Sequence, residues 1–174
     1  MKHVIETDRL ILRHVDPQAD FEAWAECFSD PEVMKGLGGG PGMSRAQAWR
    51  HMATVMGHQT IHGYSFYSVI EKSSGQWAGR VGHWSPEGWP EPEVGWTIHK
   101  PFWRKGYASE AGRACIDYAF NRLDWPRVVH TIAMDNVASI KTAEVLGSRL
   151  LYKVDRIPAI SEDPHFVYGQ DNPN

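Results

Sequence analysis

Residues 100–111 read KPFWRKGYASEA, and the fold turns on how this stretch is read. EVGWTIH at 93–99, just before it, is rich in β-formers. After Gly106, residues Ala108, Ala111 and Cys115 repeat at helical spacing, with Gly112, Ile116, Phe120 and Leu123 beside them. A strand therefore turns sharply into a helix. The first turn of such a helix carries backbone N–H groups without intrahelical acceptors, and the macrodipole places about half a positive charge there. Gly106 lets a ligand approach the backbone closely and Ala108 keeps the wall low, so Arg104 to Ser109 are expected to receive an anion.

Working outward, RVVHTIAM at 127–134 reads as the next strand. Strands 93–99 and 127–134 are then expected to be parallel neighbours joined by a right-handed crossover. Upstream, YSFYSVIE (64–71), QWAGRVGHW (76–84) and 93–99 are separated by turn clusters and predict an antiparallel meander. Near the amino end, RLILRHV (9–15) alternates like a strand. It runs into Asp16-Pro17 and a helix with the stripe Phe21, Trp24, Ala25 and Phe28, which Asp30-Pro31 closes. GLGGGPG (36–42) has glycines like a phosphate loop, but no Lys-Ser/Thr follows and no apolar strand precedes it, so it reads as a mobile surface loop. Ser44 and Gln47 fit a capping box that opens a helix from Arg45 to about Met56. His58 and His62 have metal-ligand spacing, yet Gly57 and Gly63 flank them and no third ligand is evident, so they read as solvated turn histidines and no metal site is expected. A helix at 137–146 ends at Gly147, and strands near 148–155 and 165–169 complete the chain.

The chain has 174 residues, 42% of them apolar and 22% charged, with a net charge of −3. These values fit one folded domain and provide no positive field to recruit nucleic acid. The absence of a signal-peptide core and of an uncharged run near the ~20 residues of a membrane span predicts a cytoplasmic protein. Cys27 and Cys115 both fall in helical patterns and are expected to be buried thiols.

At this level the stretch becomes specific. Trp103-Arg104-Lys105-Gly106-Tyr107-Ala108 resembles the pyrophosphate loop of the GNAT N-acetyltransferases, Gln/Arg-x-x-Gly-x-Gly/Ala, and is most similar to the branch of the Rim-type ribosomal-protein N-terminal acetyltransferases. ETDRLILRHV (6–15) resembles the family's opening strand, EVGWTIHKPF (93–102) its fourth strand, and DNVASIKTAEVLG (135–147) its Asn-x-x-Ser helix. All four segments occur in the family's order. Trp103 departs from the common Gln/Arg, and Arg104 stands where this branch often has glycine.

The resemblance implies an α/β (α+β) GNAT fold: a mixed, mostly antiparallel sheet of six to seven strands with splayed parallel central strands and about four helices. It implies that acetyl-CoA is the co-substrate, with pantetheine beside Thr97, Ile98 and His99 and phosphates beside Arg104, Lys105, Gly106, Tyr107, Ala108 and Ser109. Asn136 would bond the pantetheine and Ser139 would protonate the departing thiolate, with Tyr152 as an alternative acid. A neutral amine, from a small molecule or a protein N-terminus, would attack directly, aided by a general base. Glu93 is the first candidate for that base and His83 the second, whereas Glu110 reads as a first-turn residue facing the helix dipole. The first two helices, the glycine loop at 36–42, and Trp84 and Trp89 would shape the acceptor site. Either a monomer or a homodimer is compatible with the pattern. The rival readings are a non-catalytic acyl-CoA-binding module and a nucleotide phosphate-binding enzyme, the latter lacking its motifs.

Overall fold

The computed structural model describes residues 4–37, 40–158 and 161–173. Strands β1 (Ile5–Glu6), β2 (Leu10–His14), β3 (Phe66–Glu71), β4 (Trp77–Trp84), β5 (Glu93–Ile98), β6 (Arg127–Ala133), β7 (Arg149–Val154) and β8 (His165–Asp171) form one sheet. Their order is β1-β2-β3-β4-β5-β6-β8-β7. Every neighbouring pair is antiparallel except β5 and β6, which run parallel. The strand beyond the expected seven is β1, whose two residues are too few to display an alternating pattern.

Among the described residues five α-helices accompany the sheet: α1 (Pro17–Ser29), α2 (Pro31–Lys35), α3 (Arg45–His62), α4 (Tyr107–Arg122) and α5 (Val137–Val145). The helix missing from the sequence reading is α2. Asp30 ends α1 and at once caps α2, accepting a hydrogen bond from Glu32 N–H, so the residue expected to close one helix also opens another. The expected stop near Met56 is also corrected. Gly57 costs a helix interior only about 1 kcal/mol, and burial of Val55 and His58 carries α3 on to Gly63, whose φ of 77° makes the left-handed cap. The expected capping box is present, with Ser44 and Gln47 bonding reciprocally. His58 is therefore not a solvated turn residue. It is buried between His62 and Trp84, its Nδ1–H donates to Tyr64 O, and its Nε2 accepts from Ser85 N–H, which leaves no nitrogen for a metal.

The two faces of the sheet carry different layers. Leu10, Leu12, Tyr67, Val69, Val81 and Val94 pack against α4 residues Ala111, Cys115 and Ala119, while Phe66 and Trp77 pack against Trp24 and Phe28 of α1 and Met52 and Val55 of α3. Cys27 and Cys115 are free buried thiols. A bulge between β3 and β4 sets which β4 side chains face which layer: Val69 pairs with Gly79 but Ile70 with Trp77. The extra residue puts Ala78 and Val81 on the α4 side, and both Trp77 and Arg80 on the α1 side. Among the described residues no helix is long and apolar enough to cross a membrane.

Between β5 and α4 the chain makes a 3₁₀ turn (Lys100–Phe102) and a loop held from both sides. Trp103 Nε1 donates to Ile98 O at 2.6 Å. Arg9 donates to Lys105 O and pairs with Glu110, which also accepts from Thr7 Oγ1 and Arg9 N–H, so Glu110 ties the β1–β2 turn to the first turn of α4. Gly106, with a φ of 78°, is left-handed without penalty, but Arg104 adopts a φ of 62° and carries a side chain in that region. Such a conformation costs roughly 1–2 kcal/mol, and glycine's extra unfolded-state entropy offsets part of the gain from removing it. Arg104→Gly is accordingly expected to raise stability by somewhat under ~1 kcal/mol, about 2 °C in melting temperature for a chain of this size. A lower melting temperature for the variant would show that the loop is not strained at this position.

Candidate active site

The parallel strands β5 and β6 pair at one position, Glu93 with Val129, and then part. A regular ladder is blocked by side chains of the two strands themselves. Thr131 N–H donates to Glu93 Oε2 at 3.1 Å, and the His130 ring donates from Nδ1 to Val94 O at 2.6 Å. His130 Nε2 in turn accepts from Ser148 Oγ, which fixes the neutral ring, and burial drives its pKa down to about 4. Beyond this wedge, backbone groups of Gly95 to Ile98 that point away from β4 face no strand among the described residues.

A cleft of about 640 Å³ opens along that free edge. Trp96, Thr97 and Ile98 form one wall, and Arg104, Gly106, Ala108 and Ser109 close one end. Gly106 caps α4 without a side-chain hydrogen bond, so no cap side chain takes up the N–H groups of the first turn. Asn136 to Thr142 of α5 make the opposite wall, and α2 with Gly36 and Leu37 lies across the top. Both rims hold α2 in place. Lys100 reaches Glu32 at 2.8 Å from the loop side, and Asn136 Nδ2 donates to Gly36 O at 3.0 Å from the α5 side. Of the glycine loop, Gly38 and Gly39 lie outside the described residues.

Most of the residues expected around coenzyme A line this cleft, including Asn136 and Ser139, but two do not. Lys105 turns away and pairs with Glu71 at 3.0 Å, its ammonium lying over the Phe102 ring. Glu71 is a strong partner because Ser74, Tyr107 and Lys105 all donate to it and pull its pKa down to about 2. His99 is buried beside Trp77 and Phe102, because β5 ends at Ile98 and the next N–H turns back to Ala78 O. Tyr107 contributes its backbone to the cleft while its ring is buried and its hydroxyl bonds Glu71. Asn136 is occupied at both ends, since Oδ1 accepts from Ser139 N–H while Nδ2 holds Gly36.

A smaller pocket of about 60 Å³ adjoins the cleft and shares Gly36, Leu37, Trp96, Asn136 and Ser139 with it. Glu93 lines it, on the same sheet face as Gly95 and Thr97. Its Oε2 accepts from Trp89 Nε1 at 2.8 Å as well as from Thr131 N–H, which leaves Oε1 directed over Gly95. A Cβ at Gly95 would stand 2.7 Å from that oxygen, so only glycine leaves room for the carboxylate there. Burial raises the Glu93 pKa above the ordinary carboxylate value; the hydrogen bonds and the Arg80 charge offset part of that rise.

His83 is a core residue rather than a cleft residue. It is fully buried on the α4 side, with Nε2 against Cys115 O, because β4 parity places it opposite Trp84. Burial lowers its pKa to about 4. Tyr152 lies on β7 outside both cavities and donates to Glu91 Oε1 at 2.6 Å. Trp84 and Trp89 also lie outside the cavities; the first stacks on His58 and the second holds Glu93. Ser139 sits where cleft and pocket meet. Trp96 Nε1 donates to its Oγ at 3.3 Å, and because an indole only donates, that bond leaves the hydroxyl proton free. The sequence reading did not single out α2, Trp96 or Arg80. The signals available were Asp-Pro-Glu at 30–32 and a lone cation inside the apolar run QWAGRVGHW.

Comparison with known proteins agrees with this geometry. The family model described as an acetyltransferase (GNAT) domain matches residues 9–149. The uncharacterized N-acetyltransferase YoaA of Bacillus subtilis is 32% identical over 146 residues, spanning 83% of this chain and 81% of that protein. The crystal structure of an acetyltransferase from Agrobacterium tumefaciens superposes with a TM-score of 0.82 at 27% identity, covering 97% of this chain and 94% of the other. RimL, a ribosomal L7/L12 alpha-N-protein acetyltransferase solved in complex with coenzyme A, shares the fold with a TM-score of 0.79 at 18% identity over 97% of this chain and 98% of its own. A parted pair of parallel strands, a glycine-led helix entrance and a family model covering most of the length lead to one conclusion: the chain belongs to the GNAT acetyltransferase family.

Proposed function

We propose that this protein transfers the acetyl group of acetyl-CoA to a primary amine by direct attack, with both substrates bound together. The observation that carries the reading is the junction of the two cavities: a cleft edged by free β5 backbone and the α4 N-terminus opens into a pocket that holds a buried carboxylate. The cleft suits a long, partly apolar thiol ester with a phosphorylated end. Its pantetheine would lie along Thr97 and Ile98, and its phosphates would meet the α4 N-terminus, with the Arg104 guanidinium beside them. RimL, which binds coenzyme A, has this same fold.

The amine would enter the inner pocket beside Glu93. Most amines are protonated at neutral pH, so a proton must leave before nitrogen can attack the thioester carbonyl. Glu93 Oε1 is the acceptor, directly or through one water, and the burial that raises its pKa also makes it a better base. Exposed β5 N–H groups would stabilise the oxygen as the carbonyl becomes tetrahedral. As the C–S bond breaks, the Ser139 hydroxyl donates its proton to the thiolate and takes in turn the second proton leaving the former amine nitrogen, so that it ends the step as a hydroxyl. Asn136 positions the apparatus by capping the helix that carries Ser139 while tying down the α2 roof.

Release of the free thiol on mixing the protein with acetyl-CoA and a broad amine panel tests the assignment; binding of acetyl-CoA without turnover of any amine would refute it. Glu93→Gln is expected to lower kcat by 10²–10⁴-fold. For the wild type, kcat should rise with pH through an acidic limb lying above the usual carboxylate range, because the base works only when ionised, and that limb should vanish in the variant. Ser139→Ala is expected to lower kcat by about 10²-fold with acetyl-CoA. The deficit should shrink with an acetyl ester of a more acidic thiol, which leaves without a proton; an unchanged deficit would move the acid elsewhere.

A further inference from the structure

The inner pocket holds a cation that the acetyl transfer itself does not use. Arg80 reaches it from β4, is about 7% exposed, and lies with its guanidinium carbon 3.8 Å above the Phe66 ring centroid. Its Nε is buried without a partner, and among the described residues the side chain makes no ion pair. Burial lowers its pKa to about 10, so the group is still charged at neutral pH. A buried charge with open hydrogen-bonding capacity is costly, and the opposite charge of Glu93 offsets only part of that cost here. Thr131 also faces this pocket, and its Oγ1 is likewise buried and unpartnered. Glu93, a carboxylate whose charge acts on Arg80, has Oε2 committed to Trp89 and Thr131.

Two opposite charges in one small pocket, each with unused hydrogen-bonding capacity, describe a zwitterion's complement. We infer that the acceptor is a small amine bearing a carboxylate, its amino group received at Glu93 and its carboxylate by the Arg80 guanidinium and the Thr131 hydroxyl. A planar guanidinium pinned on an aromatic ring presents its fork in a fixed plane, which suits a carboxylate's two oxygens. A guanidinium and a carboxylate in one pocket fit a free amino acid, whose amino and carboxylate groups share one carbon, better than a polypeptide N-terminus, which has no carboxylate there. This inference rests on the acetyltransferase assignment and narrows its substrate.

The test pairs each acceptor with a counterpart lacking the carboxylate: amino acids against their amides and against the decarboxylated amines, with acidic and neutral peptide N-termini as further arms. The wild type should favour the carboxylate member by roughly 10- to 100-fold in kcat/KM, the worth of one charge-assisted contact. Arg80→Met keeps the packing on Phe66 and should abolish the preference, while Arg80→Lys should keep part of it. Arg80→Met should also melt no more than about 2 °C below wild type, since replacing a buried unpaired charge by an apolar group is often neutral or better. A preference that survives Arg80→Met, or equal rates for both members of every pair in the wild type, overturns the inference but leaves the acetyltransferase reading intact. Faster turnover of acidic peptides than of any free amino acid overturns it too. Should no amine be turned over, the assignment above falls instead. Calorimetry with N-acetyl amino acids in the presence of coenzyme A then decides the Arg80 claim alone: wild type should bind them and Arg80→Met should not, and equal binding contradicts it.

Discussion

Adjacent parallel strands ordinarily pair along their whole overlap, and β5 and β6 do not. Their ladder holds at Glu93 and Val129 and is then broken from within. The Glu93 carboxylate takes the Thr131 N–H, and the His130 ring takes the Val94 carbonyl. Buried backbone groups cannot be left unpaired without cost, so these side chains let the strands part while satisfying the groups nearest the fork. The same substitution of side chain for strand also fixes Glu93 in place. The residue that wedges the sheet apart is thus the residue proposed to accept the amine's proton, and cleft and base follow from one arrangement.

The remaining architecture supports that fork. β4 forms a full antiparallel ladder with β5, from Gly79 with Ile98 to Trp84 with Glu93, which holds β5 rigid as β6 departs. The α4 layer packs beneath Val94, Trp96 and Ile98, and the α1–α3 layer covers the face bearing Glu93, Gly95 and Thr97. Both layers shape the cleft: α4 turns its N-terminus to it, and the α2 segment following α1 roofs it. Several features of the site lower stability, as expected where function is stored. Arg104 is left-handed, the Nε of Arg80 is buried without a hydrogen-bond partner, and a carboxylate is buried at Glu93.

Much of this was legible because the signals were local. The entry to α4 shows in a glycine before a helical repeat, and the parallel relation of β5 and β6 follows from the crossover helix between them. Glu93 was reachable by strand parity. His83 was a candidate only from its place at the end of the preceding strand, and such a place does not say which sheet face the side chain takes; it lies on the α4 side. Lys105 and His99 were misplaced for a related reason: a residue inside a motif can give its backbone to one side and its side chain to the other, as Lys105 does in reaching Glu71. Arg80 depends on the bulge opposite Val69 and Ile70, a one-residue slip that turns it toward the α1 face. No composition or period announces such a slip. The α2 helix, at five residues, is shorter than any periodic pattern can resolve.

Amide hydrogen exchange, resolved to single residues and compared with and without acetyl-CoA, bears most directly on the claim that the parted edge of β5 receives the thiol ester. The account predicts that added acetyl-CoA slows exchange at the amides of Gly95 to Ile98 that face away from β4 and in the first turn of α4, with the β3–β4 ladder unchanged. Saturating acetyl-CoA that leaves β5 exchanging as before, or protects a surface remote from both cavities, would contradict it.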